Sequence, residues 1–274
     1  MFTFPLQLPS GKIVRLAEIS NRILFDIIKF CVANDIEGLH QLLEGEIFKK
    51  YSDLNIAEKL YIILHIRSFS LGFDISVTQV DGTTITYDIV NIVENLEKIP
   101  FCFEELIQVG DYNITVDIPS SLHFTSPDEI YFDIIKNVSY DGITIDFKHI
   151  TIAEKEKILE VLPPSLLPKL NDYIEKLNVA IGGIPLIDGG KVFKINEIKI
   201  NLLSNQPIVF VQSIFSHDLT SFIQFMYQFV NKVGGTFKDF FDLTINDTKL
   251  MLDFYKEEIE KQNEELKKTQ PRVK

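Results

Sequence analysis

Tryptophan is absent from this chain of 274 residues, cysteine occurs twice, and only Arg15, Arg22, Arg67 and Arg272 carry a guanidinium. Against 39 Asp and Glu stand 27 Lys and Arg, a net charge of −12. Phosphate backbones are bound by neutralising them with Lys and Arg, and Arg is the better bidentate donor. The sequence therefore speaks against a nucleic-acid partner and against docking on an anionic membrane. The two cysteines, Cys31 and Cys102, lie 71 positions apart in apolar surroundings, which predicts two buried free thiols rather than a disulfide. The first residues, MFTFPLQLPSGK, lack a basic region followed by an apolar one, so a soluble intracellular chain without a secretory signal is expected. On that expectation the sequons at Asn113, Asn137 and Asn246 carry no weight. The longest apolar-rich stretch, 207–233, is broken by Gln212, His217, Asp218, Gln224, Gln228 and Asn231, too polar to span a bilayer.

Chemical signatures are missing as well. His40, His65, His123, His149 and His217 are scattered, and none stands at metal-ligand spacing to another His or Cys. Ser216-His217-Asp218 contains the residue types of a catalytic triad, but neighbours in sequence point in different directions and cannot form its relay. Ser216 or Asp218 reads instead as a helix cap. The run Asp188-Gly-Gly-Lys191-Val192 resembles the end of a phosphate-binding loop, yet Pro185 stands where the first Gly is required and Val192 where Ser or Thr would hold magnesium. It reads as a β-turn. Carboxylates such as Glu104, Glu105, Asp128, Glu129 and Asp133 read as solvated. No metal, nucleotide or other cofactor is expected, and the residue chemistry argues against an enzyme.

What the chain does have is apolar bulk: 46% hydrophobic residues, with 22 Phe, 9 Tyr and 39 Ile. At this length about three-quarters of the unfolded surface is buried on folding. Residues 2–8 and 12–16 read as strands around Pro9-Ser10-Gly11. Ser20 caps a helix reaching Asn34, and a shorter helix over 35–44 follows. Asn55-Ile-Ala-Glu58 opens an apolar helix that Gly72 closes. At Phe73 the hydrophobic period changes from 3.6 to 2. Hairpins are predicted at 74–80 and 83–88 around Asp81-Gly82, and at 103–109 and 112–118 around Gly110-Asp111, then a helix at 127–137 and a turn at Asp141-Gly142. From Thr151 the helical period returns. A capping box at Thr151-Ile-Ala-Glu154 starts a helix stopped by Pro163-Pro164. A helix over 165–180, a small hairpin turning at Gly189-Gly190, and long helices at 217–233 and 245–268 follow. The last turns have few apolar anchors and are expected to project into solvent. The fold class predicted is α+β, with helical parts at 1–72 and 150–274 flanking a β-hairpin-rich middle at 73–149.

The order of these segments resembles a known family. The LPSGKIVRL strand pair leads into a helix, and IAEKLYIILHIRSFSLG with Arg67 and Gly72 comes next. After the β-rich middle come TIAEKEKILEVLPPSLLPKL, NQPIVFVQSIFSHDLTSFIQFMYQFV and FKDFFDLTINDTKLMLDFYKEE. Over about 1–72 and 150–260 this is similar to the baseplate proteins of T-even-type contractile-tailed phages, a group that includes hub subunits and hub-assembly proteins. The resemblance implies action by protein–protein contact with other baseplate and hub proteins, in the tail baseplate of a virion assembled in the host cytoplasm. It carries no catalytic residues. Two roles follow from it: a hub subunit retained in the virion, or an assembly factor absent from the mature particle.

The partner surface is expected on the 217–233 helix. Leu219, Phe222, Ile223, Met226, Val230 and Val233 form one stripe, which Phe225, Phe229 and Tyr227 widen to an arc of roughly 200°, where a surface helix needs little more than 100°. Two readings are open. Either the chain's own last helix covers this face, or Phe225 and Phe229, with Phe237, Phe240 and Phe241, stay accessible and seat against a hub neighbour or a second copy.

Overall fold

Strands β1 (Thr3–Gln7) and β2 (Ile13–Ala17) pair antiparallel, and alternation sends Leu6, Val14 and Leu16 inward. Ser20 accepts from the Ile23 amide to start α1 (Asn21–Ala33), which ends at Asn34 in the left-handed conformation. Helix α2 (Ile36–Leu42) runs on into a π-helical stretch, Leu43–Phe48. Asn55 and Glu58 form the reciprocal capping box of α3 (Ile56–Leu71). Thirteen of the sixteen residues of α3 are buried, which makes it the central helix of the molecule. The computed structural model describes residues 3–51, 53–78, 84–98, 100, 102–126, 129–181, 184–185, 199–200, 203, 206–216 and 219–269.

In the middle, β3 (Asp74–Thr78) and β4 (Thr84–Asp88) pair antiparallel, while the Asp81-Gly82 turn lies outside the described residues. Helix α4 (Ile89–Leu96) follows at once and was not foreseen. Strands β5 (Glu105–Val109) and β6 (Tyr112–Val116), helix α5 (Glu129–Ile134), and strands β7 (Ile135–Tyr140) and β8 (Ile143–Asp146) complete this part, with an antiparallel sheet in the order β5-β6-β7-β8. The helix expected over 127–137 stops at Ile134. Ile135 and Val138 look helical because they are three apart and both buried. They face one side of the sheet because the β6–β7 register slips between Thr115 and Val116, the mark of a bulge. At the β7–β8 turn Asp141 and Gly142 both take positive φ, 47° and 75°, as a two-residue hairpin loop requires.

Beyond a 3-10 turn at Phe147–His149, Thr151 and Glu154 cap α6 (Ile152–Val161), and α7 (Leu166–Ile181) follows Pro163-Pro164. Strands β9 (Ile184–Pro185) and β10 (Lys199–Ile200) pair antiparallel, and Gly189-Gly190 lies outside the described residues. Four helices end the chain: α8 (Gln206–Phe215), α9 (Leu219–Gln228) with a π-helical extension Phe229–Val233, α10 (Phe237–Asp242) and α11 (Ile245–Thr269). Helix α8 precedes the expected 217–233 helix, at a place where no helix is predicted from the sequence. His217 and Asp218 lie outside the described residues. Ser216 donates to the Ser213 carbonyl, closing the end of α8 rather than capping the next helix.

The buried apolar residues form one continuous cluster, from Leu6 through Val138 to Ile245, drawing on all three segments. Helix α1 lies against α8, α9 and α10. Arg67 of α3, almost fully buried, donates to the carbonyls of Ile214 at 3.1 Å and Gly72 at 3.0 Å, joining the N-terminal helices to the C-terminal ones. With helices at both ends and the four-stranded sheet between them, the class is α+β. Neither cysteine forms a disulfide, and only Cys31 is buried. Cys102 is exposed, because its neighbour Phe103 takes the inward direction and packs on Tyr173 at 6.0 Å between ring centres.

Candidate partner interface

Phe240 is the centre of an aromatic cluster rather than a free surface ring. It is fully buried, and Phe222, Phe225, Phe229 and Phe241 lie around it with ring centres 5.5–6.1 Å away. From α1, Phe25 stacks on Phe222 at 5.7 Å and touches Phe241 at 5.5 Å, and the Arg22 guanidinium sits 5.2 Å over Phe241. Such ring pairs add about 0.5–1.5 kcal/mol each beyond the area they bury. Gly235 allows the tightest contact. A Cβ at that position would stand 2.6 Å from the Phe229 ring.

The expectation of five accessible rings is therefore corrected at two of them. Phe229 and Phe240 are core, because α1 and α10 close over the apolar face of α9 and α11 packs on Phe229–Val233. Phe225 and Phe241 are half-buried at the rim, and Phe225 lines a shallow groove of about 220 Å³ with Leu71, Phe222 and Ile245. Phe237 alone of the five is exposed, at 46%, with Tyr227 edge-on to it at 6.0 Å.

Further apolar exposure lies one helix later. Ile245, Thr248 and Leu252 of α11 are buried against the body, while Leu250 and Phe254, one turn apart on another side, are 55% and 61% exposed, and Met251 is exposed between them. The i, i+4 pair Leu250 and Phe254 opposite the buried stripe was the signal to use. From Asp253 to Glu265 every residue is exposed except Tyr255.

A second concavity, a polar cleft of about 420 Å³, lies between β2's preceding turn, β7 and α6. Lys12, Lys136, Lys148 and Lys155 line it together with Asp53, Asp117, Asp133 and Asp146. These charges are occupied in holding the fold. Asp133 accepts from the amides of Ser120 and Ser121 and from the Ser120 hydroxyl, at 2.6–2.7 Å, so it is not the solvated carboxylate that was expected. Asp117 accepts from the Phe103 and Ile118 amides, Lys148 reaches Asp53, and Lys136 Nζ donates to the carbonyls of Ile118 and Asp133 at 2.9 Å each. Burial pushes the Lys136 ammonium below its ordinary pKa, with Asp133 and Asp117 opposing. Glu129 caps Thr125, and Glu105 pairs with Lys176 at 2.9 Å. Asp128 and the Asp188–Val192 run lie outside the described residues.

Histidines come closer than the sequence suggested. His40 and His123 lie 5.7 Å apart, with Glu37 3.5 Å from His123 Nε2. Burial lowers the pKa of His40 and of His65. Among the described residues no group of three His, Cys, Asp or Glu side chains could hold a metal ion. Among the same residues no helix is long and apolar enough to cross a membrane.

Residues 1–186 match a protein family described as T4 bacteriophage base plate protein. The chain belongs to that family. It is a phage baseplate protein, and its place is among the other proteins of a tail baseplate. The comparisons with curated proteins and with solved structures returned no match. The matched stretch takes in β1 through β9, and with it Phe25, while Phe240 with the four rings around it and helix α11 of this baseplate protein lie beyond it.

Proposed function

We propose that this baseplate protein is a structural subunit of the baseplate hub, acting by contact with other hub proteins and carrying no catalytic step. The observation that supports it is the outer side of α11, where Leu250, Met251 and Phe254 are exposed opposite the side that seats the helix on the body. Apolar side chains gathered in this way mark protein contact surfaces. The surplus of carboxylates supports protein rather than nucleic acid as the partner.

Mass spectrometry of purified virions tests this reading. A stoichiometric amount of the chain is expected in the finished particle. Its absence from virions, with hubs failing to form when its gene is removed, would transfer it to the role of assembly factor. A zymogram on peptidoglycan is expected to show no lysis.

A further inference from the structure

His40 and His123 meet where the N-terminal helices touch the middle of the chain. His40 lies on α2 and His123 in the connection between β6 and α5, and their rings stand edge to face with centres 5.7 Å apart. The connection is tied down on both sides of His123. Asp133 accepts from the Ser120 and Ser121 amides, and Glu129 accepts from the Thr125 amide. Between these anchors Leu122 and Phe124, the two neighbours of His123, are buried.

In both rings Nδ1 is buried and has no hydrogen-bond partner among the described residues. A neutral imidazole tolerates this, because its single N–H can sit on Nε2. For His123 the Glu37 carboxylate, 3.5 Å from Nε2, favours that placement. An imidazolium carries a hydrogen on both nitrogens. Protonating either ring therefore creates an Nδ1–H that nothing accepts, and a buried donor without an acceptor is the costly case. A second proton adds two like charges in contact. Around the pair stand Glu37 of α2, Glu44 just beyond it and Lys59 of α3, which reaches Glu44 at 2.6 Å. Burial lowers the pKa of His40 most, Glu44 and Glu37 oppose it, and His123 and Lys59 add to the lowering.

We propose that His40 and His123 form a proton-operated latch: with both rings neutral they hold the 122–124 connection against α2, and protons on the pair release it, turning Leu122 and Phe124 outward while the rest of the fold stays closed. The opening is local because Asp133 and Glu129 keep both ends of the connection in place. Its direction is fixed by the chemistry of the rings. The latch is shut at neutral pH and opens as pH falls below the ordinary histidine range. This inference does not depend on whether the chain is a hub subunit.

The test is hydrogen exchange of the full chain, read by mass spectrometry at about pH 7.5 and 5.5 and corrected for the chemical exchange rate. Protection of the segments 36–42 and 121–125 should fall roughly tenfold or more at the lower pH, while α7 changes less than about twofold. The His40→Gln, His123→Gln double variant should lose this response. The His65→Gln variant should keep it, since His65 also has a buried nitrogen without a partner but no second histidine against it. An equal loss of protection along the whole chain would reduce the effect to global stability and overturn the latch. So would an unchanged 121–125 segment, or a full response in the double variant. The Cε1–H resonances of His40 and His123 in the unmodified chain read the same event even if the double variant is already open at neutral pH. Both must titrate in the pH interval in which protection is lost, and titration with protection retained overturns the proposal.

Discussion

Asn21, the first residue of α1, donates its side-chain amide to Thr248 Oγ1 in α11 at 2.8 Å, across 227 positions of sequence. The same amide group reaches the Phe240 carbonyl at 2.8 Å, and the Asn21 backbone amide donates to the Leu243 carbonyl. Both side chains are fully buried. Asn21→Ala would leave these acceptors without their donor, at about 1–3 kcal/mol. Asn21→Asp should cost more, because it sets a carboxylate against the Phe240 carbonyl and against the Thr248 hydroxyl oxygen, whose proton is given to the Thr244 carbonyl. Thermal melts followed by circular dichroism check this. The expected order of melting temperature is wild type, then Ala, then Asp.

The correction to the aromatic surface makes a second prediction. Phe240→Ala should destabilise the fold by about 3–5 kcal/mol, the cost of emptying a packed aromatic site. Phe237→Ala, at an exposed position, should stay within about 0.5 kcal/mol. Urea unfolding midpoints distinguish the two. Similar losses at both would mean that α10 is held differently from the arrangement described.

The two matching capping boxes should respond unequally. Glu58 of α3 is buried, and besides its own Asn55 amide it accepts from the Ser10 hydroxyl and from Lys12 Nζ at 3.3 Å, so it anchors the β1–β2 turn as well as a helix end. Glu58→Ala should lose about 2–3 kcal/mol, in the range for hydrogen bonds to a charged group. Glu154 of α6 serves only its exposed Thr151, and Glu154→Ala should move the melting temperature far less.

His40 gives a pH dependence. Burial holds its pKa in the folded state below the ordinary 6.5, against opposing help from Glu44 and Glu37 and with His123 and Lys59 adding to the shift. His65 is lowered in the same way. Above pH 6.5 both states are neutral and stability is unaffected. As pH falls through 6.5 towards the folded value, the unfolded chain takes up more protons and stability declines. Urea midpoints should therefore drop between pH 7.5 and 5.5, and His40→Gln should flatten part of that slope. The Glu154 and Asp239 carboxyls, both held low by their capping threonines, titrate below this window.

Much of the fold was legible because local rules and tertiary packing agree at its punctuation marks. Ser20, Asn55 and Thr151 start helices, Gly72 closes one, and Asp141-Gly142 turns a hairpin, each through a bond between neighbours in sequence. Where packing between distant residues decides, sequence patterning failed. A bulge disguised Ile135 and Val138 as helical, and the alternation around Phe103 turned Cys102 outward. The same holds for the interface. Counting apolar residues on α9 detected a surface in need of cover, but nothing in that stripe says that Phe25 of α1 supplies part of it. The exposed pair Leu250 and Phe254 was visible in the sequence only once Ile245, Thr248 and Leu252 were known to be the buried side.

Because α1 finds its cover in α8, α9 and α10, the order of synthesis matters. At roughly 5–20 residues per second, the ribosome needs about 11–45 s to proceed from Asn21 to Thr248. During that time Phe25 and its neighbours on α1 have no native partner from the C-terminal helices. The nascent chain is thus committed to a late, end-to-end closure, and its vulnerability to aggregation during infection is concentrated in the interval before α10 emerges.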